Sequence, residues 1–515
     1  ASLMRLARSR NTKRNIVVGE LDKLSGILLP FIVRTMIIHQ MGASYLGLTG
    51  LFYSIIQMLN LAEMGFGMCI TFSMYQPIAD NDTRAINALL KFYSRVYRVV
   101  GLITGAGGLL VLLFLPALIR SEPPSDINIY LLYLIYLGDA CMNCFLFPER
   151  KALLAAHQRD DVSGFVHIFT QAGMYILQMI CICLARNFYL YALTVPLSTA
   201  AYSLLCAYRS TKLLGQYHKE GELERDTYLR IRKQVVGLMV RKAASMSRNA
   251  FDSMFISAFL GLEINAVYGN YYYVMDSIVM ILAVVKNSMA GGVGNSIAME
   301  TVEKNLGDMD RINFLFMWIS GWCAICLVCL YQPFMLLWAG SGMTLPAVYA
   351  LFFGVYFYVL KMGDIRTLYS ESVGLWWQAR YLSVTEALAN VVLNWVLIRL
   401  LGLAGIILAT MLSYFVFNFI GGAWILFTGY FPLAKLRSYF AAHFKYLCVS
   451  AAIGTVTYKV AELVPWEGLA GLLAKGGLCV VIPGLLYLLV WSGTREWKQA
   501  RPMLFSLIKS KGEIR

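Results

Sequence analysis

Apolar stretches of about 20 residues recur along nearly all of this chain, and no other feature limits its fold as strongly. A helix must run about 20 residues to cross a hydrocarbon core about 30 Å thick, since each residue rises about 1.5 Å. The chain is 59% hydrophobic and only 14% charged over 515 residues, with mean hydropathy +0.62. Soluble domains are roughly half apolar and a quarter charged. The excess runs the full length, which excludes a soluble enzyme with a single anchor. The apolar stretches are continuous rather than alternating, which excludes a closed barrel. The expected fold is an all-α integral membrane protein of about 14 transmembrane helices. Their candidate starts lie near residues 16, 45, 92, 127, 162, 188, 236, 265, 311, 346, 380, 402, 438 and 468.

The net charge of +15 would suggest nucleic acid in a soluble protein. Here Lys and Arg gather in short loops, as the positive-inside bias produces, so no nucleic-acid partner is expected. Arg5, Arg8, Arg10, Lys13 and Arg14 open the chain, and Arg495, Lys498, Arg501, Lys509 and Lys511 close it. An even span count then puts both termini in the cytoplasm. Inside loops carry Arg84 and Lys91, Arg150, Lys151 and Arg159, and the run from Lys212 to Lys233, whereas outside loops hold at most one base each, such as Arg120 and Arg186. The first span is long and charged, unlike a cleavable signal peptide.

Gly215–Gln234 is the longest polar stretch and reads as a cytoplasmic linker. It divides the chain into an N-terminal six-helix lobe (1–214), a linker (215–235), a C-terminal six-helix lobe (236–430) and two extra helices with a tail (431–515). Met41–Asn60 can be laid on Leu260–Val279, matching Gly42 to Gly261, Gly50 to Gly269 and Tyr53 to Tyr272. Repeats of this kind, related by a pseudo-twofold axis, are one common transporter plan.

A charge at mid-membrane costs roughly 2.5–3.5 kcal/mol on insertion scales, so it faces a bundle interior or water. Arg34, Arg248, Lys286 and Lys361 lie deep in apolar runs and are candidate substrate-binding groups for an anion. Arg offers phosphate a bidentate fork, and Lys a compact point charge. Glu63, Asp139, Asp252, Asp276 and Asp364 occupy the same regions. Two readings stay open for these acids: charge balance for the bases, or a proton or sodium coupling site. Arg366 sits nearer a helix end, where pairing or snorkelling accounts for it.

Catalytic motifs are missing. No phosphate-cradling Gly-rich loop precedes a Lys and Ser/Thr pair, His numbers five, and no H-E-x-x-H pattern occurs. The sequence therefore points away from an enzyme, and no cofactor is expected. Cys141-x-x-Cys144 and Cys323-x-x-Cys326-x-x-Cys329 have metal-like spacing, but that spacing also stacks small apolar groups on one helical face. No metal site is expected from them.

The run YLGLTGLFYSIIQMLNLAEMGFGMCITFSMYQPIADND from Tyr45 to Asp82, with FIVRT around Arg34 and KFYSRVYRVVG from Lys91, resembles polysaccharide flippases of the Wzx type. These belong to the multidrug/oligosaccharidyl-lipid/polysaccharide exporter superfamily. VYGNYYYV and RYLSVTEALANVVLNWVLIRLLGLAGIILAT extend the resemblance more loosely through the second half. It implies two six-helix lobes around a basic central cavity, often with two extra helices. It also implies alternating-access transfer of undecaprenyl-diphosphate-linked oligosaccharide across the bacterial cytoplasmic membrane, for surface polysaccharide assembly. An ion gradient or the membrane potential would drive it, and a polysaccharide polymerase and other assembly proteins are the implied partners, besides membrane lipid. Arg34 matches the family's helix 1 arginine, Arg248 and Lys286 correspond loosely, and Lys361 rests on its own position. The alternatives are a cation-coupled multidrug exporter of the same superfamily, or a membrane glycosyltransferase or polymerase using the same lipid carrier.

Overall fold

The computed structural model describes residues 2–157, 159–229, 231–232 and 250–510; the side chains of 2–20, 61–66, 68, 69, 72, 376, 377, 380 and 503–510 lie outside that description. All regular structure among the described residues is helical. The chain forms two compact units, Ala1–Ala266 and Val267–Arg515.

In the first unit, α1 (Ser2–Gln40), α2 (Ala43–Leu59), α3 (Leu61–Ala79) and α4 (Thr83–Val111) follow one another with breaks of a few residues. Then come α5 (Ile129–Phe145), α6 (Pro148–Ala156), α7 (Asp160–Ile180) and α8 (Phe188–Leu213), and α9 (Ala250–Phe259). Local chemistry sets several starts. Asn128 and Asn187 each accept two backbone N–H bonds, from Tyr130 and Leu131 and from Tyr189 and Leu190. Each thereby caps donors that the first turn of α5 or α8 would leave unsatisfied. Pro148 at the first position of α6 forces a bend of 53° from α5.

The repeat seen in sequence returns as local geometry. Met41 and Gly42 both donate to the Ile37 carbonyl, at 2.9 Å, and Leu260 and Gly261 both donate to that of Ile256, at 2.8 and 3.0 Å. Gly42 and Gly261 have φ of 115° and 99°. A side chain adopts that region at a cost, so glycine at both turns is what lets one helix end and the next begin within two residues. Leu262, the first residue of the next helix, presses its carbonyl on Gly47, where an added Cβ would collide with it. Asn265 holds the contact with a 3.1 Å bond to the Gly47 carbonyl.

The second unit begins within α10 (Leu262–Ser288) and continues through α11 (Ala290–Met299), α12 (Val302–Ala339), α13 (Val348–Met362) and α14 (Asp364–Val373). The rest is α15 (Trp376–Leu401), α16 (Leu403–Ser413), a π-helical turn at Tyr414–Gly421, α17 (Gly422–Gly429), α18 (Leu436–Glu462), α19 (Gly468–Trp491) and α20 (Arg495–Ser510). The long α12 is the packing axis. Trp322 donates to the Cys479 carbonyl of α19 at 2.7 Å, and Asn313 meets His443 of α18 at 3.0 Å. Tyr271, Tyr331 and Phe353 stack in the core beside it.

The expectation of about 14 spans in two pseudo-symmetric six-helix lobes is corrected. Among the described residues, eight helices are long and apolar enough to cross a membrane, or nine if the bent pair α5–α6 is one span. The reasons are local. Asp22, Lys23 and Arg34 interrupt α1. α2 stops at 17 residues. Arg84, Lys91, Arg95 and Arg98 lie in α4, and Arg437, His443, Lys445 and Lys459 in α18. The span expected near 236 lies outside the described residues. Nor do the spans divide six and six. The first unit holds α5–α6, α7 and α8; the segments Leu262–Met299, Val302–Ala339, Val348–Val373, Tyr381–Leu401, Leu403–Gly429 and Gly468–Trp491 lie mainly in the second.

Candidate functional site

A cluster of buried charge in the second unit is built at a helix break. α13 ends at Met362 with Lys361 in its last turn, and α14 starts at Asp364. A cation at a helix C-terminus and an anion at an N-terminus each meet the favourable end of the helix dipole. Only two residues intervene, so the pair closes on itself: Lys361 Nζ donates to Asp364 Oδ2 at 2.7 Å. Both are buried, 3% and 8% exposed. Lys286, near the end of α10, brings its ammonium to 3.6 Å from the other oxygen, Oδ1. That is an ion pair without a close hydrogen bond, and the Lys286 side chain keeps 19% of its surface open. Asp276, also on α10, lies within electrostatic reach of Lys361. Lys286, Lys361, Asp364 and Asp276 thus gather into one neighbourhood.

Arg366, in the first turn of α14, for which pairing or snorkelling was expected, pairs with an amide and a backbone carbonyl. It is buried, and donates to the Asn418 carbonyl at 2.8 Å and to Asn418 Oδ1 at 2.7 Å. Asn418 lies in the π-helical turn, and its carbonyl accepts from the Gly422 N–H as well as from Arg366, one bond for each lone pair.

The remaining candidates lie apart from that cluster. Arg34 is half-buried on α1, within electrostatic reach of Tyr191 on α8. Asp139 sits on α5 with its Oδ1 buried and unpartnered among the described residues. The Thr199 hydroxyl is within hydrogen-bonding range of that carboxylate, and Lys151 acts on it electrostatically. Tyr53 and Tyr136 stand nearby, edge to face at 5.1 Å. Asp252 is buried on α9. Arg248 lies outside the described residues; Glu63 lies on α3, and its side chain is likewise outside them.

One pair escaped the sequence reading. His167 of α7 contacts Asp22 of α1 at 2.7 Å, and its other ring nitrogen meets Gln171 at 3.1 Å. A histidine within an apolar run, in a chain with only five, was the available signal. Among the described residues, no group of three or more His, Cys, Asp or Glu could hold a metal ion. Cys326 instead contacts the Cys479 carbonyl at 3.8 Å.

No protein-family model matches the chain, and no curated protein sequence does. Solved structures do. A lipid II flippase, MurJ, in an inward closed conformation aligns with TM-score 0.65 and 12% identity, over 93% of this chain and 98% of its own. An inward-facing multidrug resistance MATE family transporter of the MOP superfamily aligns with TM-score 0.64 and 13% identity, over 81% and 99%. A MOP superfamily transporter from Pyrococcus furiosus, described as having a binding pocket of reversed polarity, aligns with TM-score 0.53 and 14% identity, over 83% and 95%. The chain is a multi-span helical membrane protein with the fold that these transporters share.

Proposed function

We propose that the chain is an alternating-access transporter, not an enzyme, and that it flips undecaprenyl-diphosphate-linked oligosaccharide across the bacterial cytoplasmic membrane. Both termini would face the cytoplasm, and a polysaccharide polymerase would take up the product. The observation that carries this reading is the unequal sharing of Asp364. Lys361 satisfies one oxygen at hydrogen-bonding distance, while Lys286 stands 3.6 Å from the other and is partly open. A phosphate oxygen can replace the carboxylate beside Lys286 and gain a charge-assisted hydrogen bond there. Lys361 stays with Asp364 and keeps the helix break closed. Arg34 is the matching base of the first unit, and Arg248 is a further one. The structural likeness fits either cargo, since the flippase and the inward-facing MATE transporter align with TM-scores of 0.65 and 0.64. An ion gradient or the membrane potential drives the cycle in this reading, with Asp139, Asp252, Asp276 and Glu63 as the acids to examine.

The test is translocation of a fluorescent glycolipid diphosphate in proteoliposomes. Arg34→Ala and Lys286→Met should each slow it by about tenfold or more, the loss of one good charge contact. Unchanged rates in the double variant would remove the anion reading.

A second reading, a cation-coupled multidrug exporter, is favoured by Asp139 with Tyr53 and Tyr136 close by. A carboxylate among tyrosine rings suits an organic cation. Ethidium efflux that depends on Asp139, with no glycolipid translocation, would establish it.

A further inference from the structure

The second unit holds a cavity of about 540 Å³ where α12 ends and α19 begins. That volume falls within the roughly 300–1,000 Å³ of small-molecule sites. One wall is the last two turns of α12, with Pro333 and the exposed Leu336 and Leu337. The loop that follows α12 is pinned beside it. Gln332 donates to the Leu345 carbonyl. The Tyr271 hydroxyl donates to Gln332 Oε1 at 2.9 Å and accepts from the Leu345 N–H at 3.1 Å. The other wall comes from residues 466–475, the end of the loop before α19 and the first two turns of that helix. Gly471 lets these two parts close up, since an added Cβ there would collide with the Trp466 carbonyl. Bonds and packing within the protein thus fix both walls, and the space between them is open.

Three side chains give this space a polar character. Lys475 is the one charge in α19, seven residues from its start and so about 10 Å along a membrane-spanning helix. Charge within a span is costly unless something polar meets it, and a long lysine stem lets the ammonium rise toward the interface. Glu462, an acid within electrostatic reach of Lys475, is bonded to Lys459 at 2.9 Å. Glu467 precedes α19; it is exposed, and its side chain makes no capping bond to that helix. Trp466 beside it is 63% exposed, an indole at a helix end, as at membrane–water interfaces. Among the described residues Glu467 and Lys475 form no ion pair with each other. A purely anionic ligand would meet Glu467, and a purely cationic one Lys475. A ligand that carries both charges satisfies each, and exposed leucines beside them suit an apolar tail.

We propose that this cavity binds a bilayer phospholipid whose headgroup carries both a phosphate and a primary ammonium, as phosphatidylethanolamine does. Lys475 gives the phosphate a charge-assisted hydrogen bond, the lipid ammonium donates to Glu467, and the acyl chains lie along Leu336 and Leu337. The bound lipid belongs to the surrounding bilayer and not to the cargo, so the site goes beyond the transport reading and holds for either cargo.

Lipid titration of the full chain in detergent, read by native mass spectrometry, tests it. The probes are phosphatidylethanolamine, phosphatidylcholine and phosphatidylglycerol with identical acyl chains. All three share the phosphate and tails; the second has no N–H to donate, and the third has no ammonium. Phosphatidylethanolamine should bind about tenfold more tightly than either, the worth of one good charged contact. Glu467→Gln should erase its advantage over phosphatidylcholine, and since Glu467 is exposed the fold is kept. Lys475→Met should weaken phosphatidylethanolamine and phosphatidylcholine alike, by about tenfold. Lys445→Met, on α18 and paired with Glu496 away from the cavity lining, should change none of these affinities. Three results would overturn the proposal. Equal binding of the three lipids would reduce the cavity to ordinary contact with the bilayer. Phosphatidylglycerol binding as tightly as phosphatidylethanolamine would leave an anion site in which Glu467 has no part. A preference that survives both Glu467→Gln and Lys475→Met would belong to another place on the protein.

Discussion

The candidate charges of the two units sit in different surroundings. In the second, Asp364 of α14 gathers two lysines, one from α10 and one from α13, and Arg366 is tied to a backbone turn. Each charge there is part of the packing. In the first, Asp139 keeps one buried oxygen unpartnered among the described residues, Lys151 leans on an amide and a ring, and Asp22 meets a histidine. Elsewhere in the same unit Glu149 and Asp161 are buried and ion-paired with Lys219 and Arg159, at 3.0 and 2.9 Å. The difference teaches which charges the fold needs and which are open to a ligand. A buried ion adds little when well paired, but removing its partner costs several kcal/mol. Neutral neighbours set no such penalty.

Asp364→Ala tests the contrast most severely. It leaves Lys361, 3% exposed, without its nearest counter-charge, with Asp276 within electrostatic reach. We expect a loss of about 3–5 kcal/mol, read as a collapse of the melting temperature in detergent. Adding Lys361→Met to the same chain should recover most of it. A loss below about 1 kcal/mol would show that this pair is not packed as described. Lys286→Met comes next. Its ion pair is long and its side chain 19% open, so stability should fall by no more than about 1 kcal/mol. Transport of the diphosphate cargo should fall by about tenfold or more. Equal losses of stability for Lys286→Met and Asp364→Ala would erase the distinction between an exchangeable and a structural partner.

How much of this was legible in sequence follows from what sequence encodes. Lys286, Lys361 and Asp364 stood out because charge in an apolar run is expensive anywhere along it. Their meeting was not legible for Lys286, which reaches Asp364 only through tertiary packing. The Gly42 and Gly261 turns could be found because glycine leaves a sequence mark at a left-handed position. The partner of Arg366 could not be named, since it is reached through a π-helical turn around Asn418 that no residue type announces. The span count failed for a similar reason. Hydropathy records that Ala43–Leu59 is apolar but not that the helix ends at Asn60. It also blurs the positive charges spaced along α4 and α18. A cavity of about 650 Å³ in the first unit draws its lining from six helices, so no local pattern could reveal it.

Asp139→Asn sharpens the comparison within the first unit. The amide keeps the shape and the Thr199 contact while deleting the charge, and the melting temperature should move little, by about 1 kcal/mol at most in stability. If Asp139 couples transport to an ion, the gradient-driven part of translocation should vanish while exchange without a gradient persists. An unchanged response to the gradient would leave Asp139 as charge balance for Lys151.

The smallest effect is expected at Asp22. Its bridge to His167 is short, at 2.7 Å, but the two side chains are 32% and 37% exposed. Solvent and counterions screen such a pair, and holding both side chains in place costs entropy, so Asp22→Asn should change stability by only about 0–1 kcal/mol. The ring of His167 would still be packed edge-on to Tyr202 at 5.3 Å and bonded to Gln171. Thermal unfolding at low and high salt checks this, and any difference between variant and parent should shrink as salt rises. A drop as large as that for Asp364→Ala would mean that this exposed pair carries as much weight as the buried one, and the contrast between the two sites would not hold.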